Sequence, residues 1–199
     1  MLAAWESIPK AAPCLTELAV IAHLYAEAGN SKAEPLIEQL GNHLPTEAEA
    51  LRGILAWRQH FFRESGERLA TALRRLRSDP WILEHICVKT FSAAIGVARE
   101  DPGQAPKLLE AFSEPFAADY LDESRRATAC VIAEGLGSAT VAQFVESFEP
   151  HVPWSERFLT YRQQMYRAAG HRLAAQADRD LQEFVRCAAN APASSGSGH

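Results

Sequence analysis

Seven histidines, four cysteines and several adjacent carboxylates are the residues of this chain that could do chemistry. Their spacing decides which chemistry is open. The histidines are His23, His43, His60, His85, His151, His171 and His199, and no two stand in a His-Glu-x-x-His or other helical metal spacing. His85 and Cys87 are two residues apart, which on a helix points them in different directions. Cys14, Cys87, Cys130 and Cys187 lie 73, 43 and 57 residues apart, without a Cys-x-x-Cys pair or a Cys/His cluster at zinc spacing. Buried, reduced thiols acting as small hydrophobes are therefore expected, and with them a reducing, cytoplasmic setting. Nucleophilic catalysis would need an activated Ser or Cys, and there is no Gly-x-Ser-x-Gly elbow. There is no phosphate-binding glycine loop either; Gly135-Leu-Gly137 follows a helical pattern and reads as a helix stop. The acidic pairs Glu100/Asp101 and Asp122/Glu123 fall at expected helix ends, where solvated carboxylates are ordinary. The expectation is a chain without catalytic residues, metal or cofactor.

The elements that position these residues are helices. The 199 residues contain 35 Ala and 20 Leu, strong helix formers, against 23 Val, Ile and Thr together. This composition predicts an all-α fold, and 47% hydrophobic residues are enough for a core. A net charge of −5 gives no general attraction to phosphate, so nucleic acid is not an expected partner. The longest stretches without a charged residue, such as Gly135 to Val145, fall short of the roughly 18 apolar residues of a membrane helix. Charge alternates in blocks: acidic over residues 1–50, basic over 51–77, acidic over 78–150 and slightly basic beyond. Arg74-Arg75-Leu76-Arg77 reads as a solvated face, with docking of an acidic partner as the alternative.

Two marks recur along the chain. Proline returns at Pro45, Pro80, Pro115 and Pro150, each 35 residues after the last, and between them stand Gly29, Gly66, Asp101, Gly135 and Gly170. Glycine supplies a left-handed helix end and proline a stop, so each period reads as helix, tight turn, helix, stop. Helical hairpins are expected at about 14–44, 46–78, 81–114, 117–149 and 154–189. In the second, Thr46 to Arg63 and Glu67 to Arg77 are the two helices. Hairpins this small must stack to cover their apolar faces, which predicts a right-handed α-solenoid of about five units over residues 14–190. Residues 1–13 read as a linker and the remnant of a preceding helix, with Trp5 exposed by its loss, and 191–199 as a flexible tail resembling an expression-tag remnant. On this reading the chain is a piece of a larger protein.

Period, hairpin and punctuation together resemble the tetratricopeptide repeat. Ala22, Tyr25, Gly29, Ala33 and Pro45 carry the resemblance in the first unit, Leu55, Phe62, Gly66, Ala70 and Pro80 in the second, and Leu159, Tyr166 and Gly170 in the fifth. The third and fourth depart from it, with Val97 and Val131 in place of the aromatic residue and Asp101 in place of glycine. The same period occurs in pentatricopeptide repeats, but the recurring polar code and basic groove that read RNA are not evident. Glu114-Pro-Phe-Ala-Ala-Asp-Tyr-Leu121, Phe148-Glu-Pro-His-Val-Pro-Trp154 and Ala169-Gly-His171 look like the helical C-terminal segment of bacterial fused spermidine-synthase-like proteins. That resemblance implies an accessory domain whose chemistry lies elsewhere.

The tetratricopeptide resemblance implies a concave surface built from first helices. Its register places His23, His60, Arg63, Phe91, Ile95, Arg125, Arg157, Gln164 and Arg167 along a groove, together with Val88. Val88, Phe91 and Ile95 would form an apolar centre, with arginines on either side to fork onto carboxylates. Phe91 as ordinary core is the competing expectation. A second candidate surface is the stripe Trp154, Phe158, Tyr161 and Met165, read as core packing or as an exposed interface. The implied function is protein interaction, holding a peptide or a neighbouring domain; an accessory domain of a multidomain enzyme and a stand-alone all-α enzyme are the alternatives.

Overall fold

The computed structural model describes residues 14–190, all-α as the composition requires. The expectations for residues 1–13, Trp5 and 191–199 lie outside the described residues. The helices are α1 (Leu15–Glu27), α2 (Ala33–Gly41), α3 (Pro45–Arg58), α4 (Phe62–Arg75), α5 (Glu84–Glu100), α6 (Ala105–Phe112), α7 (Asp122–Ala133), α8 (Ser138–Glu146), α9 (Glu156–Ala168) and α10 (Ala174–Asn190). Two compact units divide the chain, Met1–Gly135 and Leu136–His199, and the division falls inside the expected fourth hairpin, between α7 and α8.

The four prolines of the 35-residue series all lie at or just before the start of a helix or in the connector between two helices. Pro45 opens α3 as its first residue, and Pro80, Pro115 and Pro150 fall in the connectors after α4, α6 and α8. The turn marks are less regular. Three helix ends close alike: the amides of Asn30, Phe61 and His171 donate to the carbonyls of Tyr25, Ala56 and Tyr166, five residues back, at 2.8 to 3.0 Å. The residue that must turn left-handed for this closure is Gly29 (φ 66°), His60 (φ 65°) and Gly170 (φ 61°) in turn. The second turn is therefore made by His60, and Gly66 lies inside α4 instead of ending a helix. Gly66 is small for another reason, since a Cβ there would stand 2.7 Å from Oε1 of Gln104. At Asp101 the turn needs no glycine, because its carboxylate accepts the Gly103 amide at 3.1 Å and the Gln104 side chain at 2.9 Å.

In the first unit α3 is the buried spine, packed against α1, α2, α4 and α5. Ala48, Ala50, Gly53 and Ala56 keep it slim on its several faces, while Leu51, Ile54 and Leu55 fill the core. Its closest crossing is with α4. The Ser65 hydroxyl donates to the Gly53 carbonyl at 2.7 Å, and a Cβ on Gly53 would lie 2.7 Å from Leu69. Two carboxylates are buried on this spine as well. Glu47 accepts the Leu83 amide at 3.1 Å, and burial raises its pKa. Glu49 takes Arg52 at 2.7 Å and Arg68 at 3.4 Å.

Beyond this, α3 lies on α5, α5 on α7 and α4 on α6. The basic run Arg74–Arg77 joins α4 to its neighbours. Arg74 pairs with Glu110, Arg75 donates to the Pro45 carbonyl at 2.7 Å, and Arg77 reaches the Glu110 carbonyl at 2.7 Å and the Glu114 carboxylate at 3.1 Å. Arg74 and Arg75 are exposed, as a solvated face requires, and Arg77 is half-buried; all three also make contacts within the fold.

In the second unit α9 packs against α8 and α10. Its buried face is Leu159, Arg162 and Tyr166, one position round from the expected stripe of Phe158, Tyr161 and Met165, which is half-buried. Arg162 is 1% exposed, the one charged residue on that face. Its guanidinium donates to Glu149 at 2.8 Å and to Asp180 at 2.6 Å, and Tyr166 donates its hydroxyl to the same Glu149 oxygen at 3.2 Å. His171 stacks on Tyr166 at 4.2 Å between ring centroids.

Two variants test this packing. Gly53→Ala forces α3 from Leu69 and is expected to cost roughly 1 to 3 kcal/mol in urea unfolding, the range for overpacking. Arg162→Met strands two carboxylates and is expected to cost about 3 to 5 kcal/mol. Adding Glu149→Gln and Asp180→Asn to Arg162→Met should recover much of that loss, measured in the same transition.

Candidate functional site

The apolar centre expected on the first helices exists as a cleft between α5 and the start of α7, with a volume of about 360 Å³. Helical spacing sets Val88, Phe91 and Ile95 on one face of α5, and Tyr120 and Leu121 come from the 3₁₀ turn Asp119–Leu121 that leads into α7. Val88 is 52% and Tyr120 61% exposed, so two large apolar groups meet solvent at the rim. Phe91 is 6% exposed. Its ring lies 5.3 Å from Phe112, edge to face, and 5.9 Å from Phe116, so it is core with one edge forming the cleft floor. The burial of Phe91 agrees with the reading of this residue as core.

The remaining groove residues are placed differently. Arg125 is buried: it donates to the Asp122 carboxylate at 2.9 and 2.6 Å and to the Phe112 carbonyl, tying α7 to the end of α6. It is committed within the fold and does not present a free fork. Arg63 is exposed on the first turn of α4, a second helix, with its guanidinium 3.6 Å from Glu67. The expected helix boundary placed it on a first helix because Gly66 was read as the turn. His60 makes that turn, exposed, its ring edge to face with Phe62 at 5.7 Å. His23 on α1 is half-buried, 5.3 Å from the His85 ring, with Nε2 4.0 Å from Glu27. Burial lowers its pKa more than Glu27 raises it. Arg157, Gln164 and Arg167 are exposed on α9 in the second unit, where Arg167 lies 2.9 Å from Asp178 of α10.

The cysteines divide evenly. Cys87 on α5 and Cys130 on α7 are buried, and burial pushes each thiol to about 12, while Cys14 and Cys187 are exposed. Among the described residues no group of three or more His, Cys, Asp or Glu side chains is placed to hold a metal ion. None of the described helices is long and apolar enough to cross a membrane. Trp154, at the end of the expected aromatic stripe, is half-exposed beside Phe184 of α10 at 6.2 Å.

No family model, no curated protein and no solved structure matches the chain.

The floor of the cleft is aromatic, its rim is apolar, and its polar groups are the hydroxyls of Ser92, Tyr120, Ser124 and Thr128 and the Glu84 carboxylate. The double role of Phe91 gives a clear expectation. Phe91→Ala should cost about 3 to 5 kcal/mol by chemical denaturation, as for a core aromatic residue. Val88→Asp, at the exposed rim, should stay within about 0.5 kcal/mol of the parent.

Proposed function

We propose that this chain is a tetratricopeptide-like helical-repeat domain that acts in protein interaction, holding an extended peptide segment with an apolar anchor in the α5–α7 cleft. The observation that carries the reading is the pairing of exposed Val88 and Tyr120 over the Phe91 floor, an apolar surface that none of the described helices of its unit covers. The repeat architecture is supported by helices that alternate in pairs, by the shared left-handed closure after α1, α3 and α9, and by the succession of α1 on α3, α3 on α5 and α5 on α7. In a stacked array of this kind adjacent first helices leave a groove between them, and side chains at spacing three and four line it. Binding needs no chemistry from the chain itself. The hydroxyls and the Glu84 carboxylate of the cleft lining would fix the direction of the segment, and a buried aromatic or aliphatic anchor would supply most of the affinity.

A selection of displayed random peptides on the immobilised protein tests this. Enriched peptides are expected to share one aromatic or aliphatic anchor. Val88→Asp and Tyr120→Ala should each weaken the best synthetic peptide by about tenfold or more, equal to 1.4 kcal/mol, without lowering the melting temperature. No enrichment, or affinity unchanged in both variants, would overturn the reading.

A further inference from the structure

A second groove of the first unit lies where α2 and α4 flank the C-terminal half of α3. Its volume is about 440 Å³. Ile37 of α2 and Leu55 and Ala56 of α3, exposed by only 1 to 5%, lie beneath its floor, and Phe61, 59% exposed at the turn between α3 and α4, is the large apolar group that meets solvent at its mouth. The rim is acidic: Glu34 and Glu38 from α2 and Glu64 from α4. The basic residue of the lining, Arg52, is already engaged by Glu49 at 2.7 Å, and Glu64 is shared with Arg68 at 3.7 Å. Glu34 and Glu38 have no ion-pair partner among the described residues.

We propose that this groove is a docking site for a basic segment of a partner protein, in which the stem of an arginine side chain lies along Ile37 and Leu55, its guanidinium stacks on Phe61, and Glu34 and Glu38 receive its charge. Complementarity in both shape and sign selects this occupant. Glu34 and Glu38 sit four residues apart on one helix face, a like-charge pair that costs helix stability unless a cation stands between them. A metal ion is a poor match, since no three carboxylates of the rim are placed to share one. A wholly apolar segment would leave both charges beside a desolvated surface, and an anion would be repelled. An arginine satisfies the floor and the rim together, because its methylene stem is apolar, its head is planar and forked, and it stacks on aromatic faces. The site is independent of the α5–α7 cleft, shares no residue with it, and stands if that cleft binds nothing.

Titration by methyl and aromatic NMR separates the possibilities, using N-acetyl-arginine methylamide as probe, N-acetyl-norleucine methylamide as the uncharged control and putrescine as a free diamine. The arginine derivative is expected to give saturable shifts confined to Ile37, Leu55 and Phe61, weakened on the order of tenfold by added salt or by Glu34→Gln with Glu38→Gln, as expected for a charge-assisted contact. That double variant removes a repulsion and should melt no lower than the parent, so loss of binding would not reflect unfolding. Phe61→Ala should weaken binding as well, and Glu123→Gln, on α7, should not. Equal binding of norleucine, tighter binding of putrescine, shifts that never saturate, or full affinity in the double variant would each overturn the proposal.

Discussion

The first unit depends on one helix being thin enough to be surrounded. α3 touches four other helices, and it can do so because Ala48, Ala50, Gly53 and Ala56 let their backbones approach. Close approach brings a polar consequence, since the Gly53 carbonyl is covered by α4 and then takes the Ser65 hydroxyl. It also fixes what lies further out. With α4 held against α3, its last turn brings Arg74 and Arg77 within reach of Glu110 and Glu114 after Phe112 has joined the aromatic cluster under the cleft.

The second unit is organised on a different principle. Its central helix buries a guanidinium between Leu159 and Tyr166, and one arginine collects Glu149 from the connector before α9 and Asp180 from α10. Apolar contacts tolerate sliding, whereas a forked ion pair in a dry setting has one good geometry. A unit of three helices with few large aliphatic residues gains definition in this way. Glu146, at the end of α8, is bound by His171 and by the exposed Arg172.

Helix content and the punctuation by proline were legible in the sequence because both follow from local chemistry: alanine and leucine favour helix, and proline cannot continue one. The turn inside the second hairpin was not legible. Glycine is the usual left-handed residue, and Gly66 stood at the expected interval, but His60 tolerates that conformation and the chain uses it. The misplaced turn carried Arg63 with it onto the wrong helix. Arg125 and Arg162 were hidden for a further reason. A charged residue is assumed to face water, and only the tertiary positions of Asp122 with the Phe112 carbonyl, or of Glu149 with Asp180, reveal where each charge is neutralised. The pattern did hold a trace of Arg162, which interrupts the spacing of Leu159 and Tyr166 on one helix face. The apolar cleft was legible as a set, Val88, Phe91 and Ile95, because three residues at helical spacing share a face whatever the turns do.

The four thiols, sorted by the fold into two of each kind, give the molecule an internal clock. Cys87 and Cys130 sit on the two helices that bound the cleft and are held as neutral thiols, so an electrophile reaches them only when α5 or α7 swings open. Their rate of alkylation thus measures breathing of the cleft walls. Cys14 and Cys187, already exposed, react first and set the scale of the unprotected reaction in the same sample.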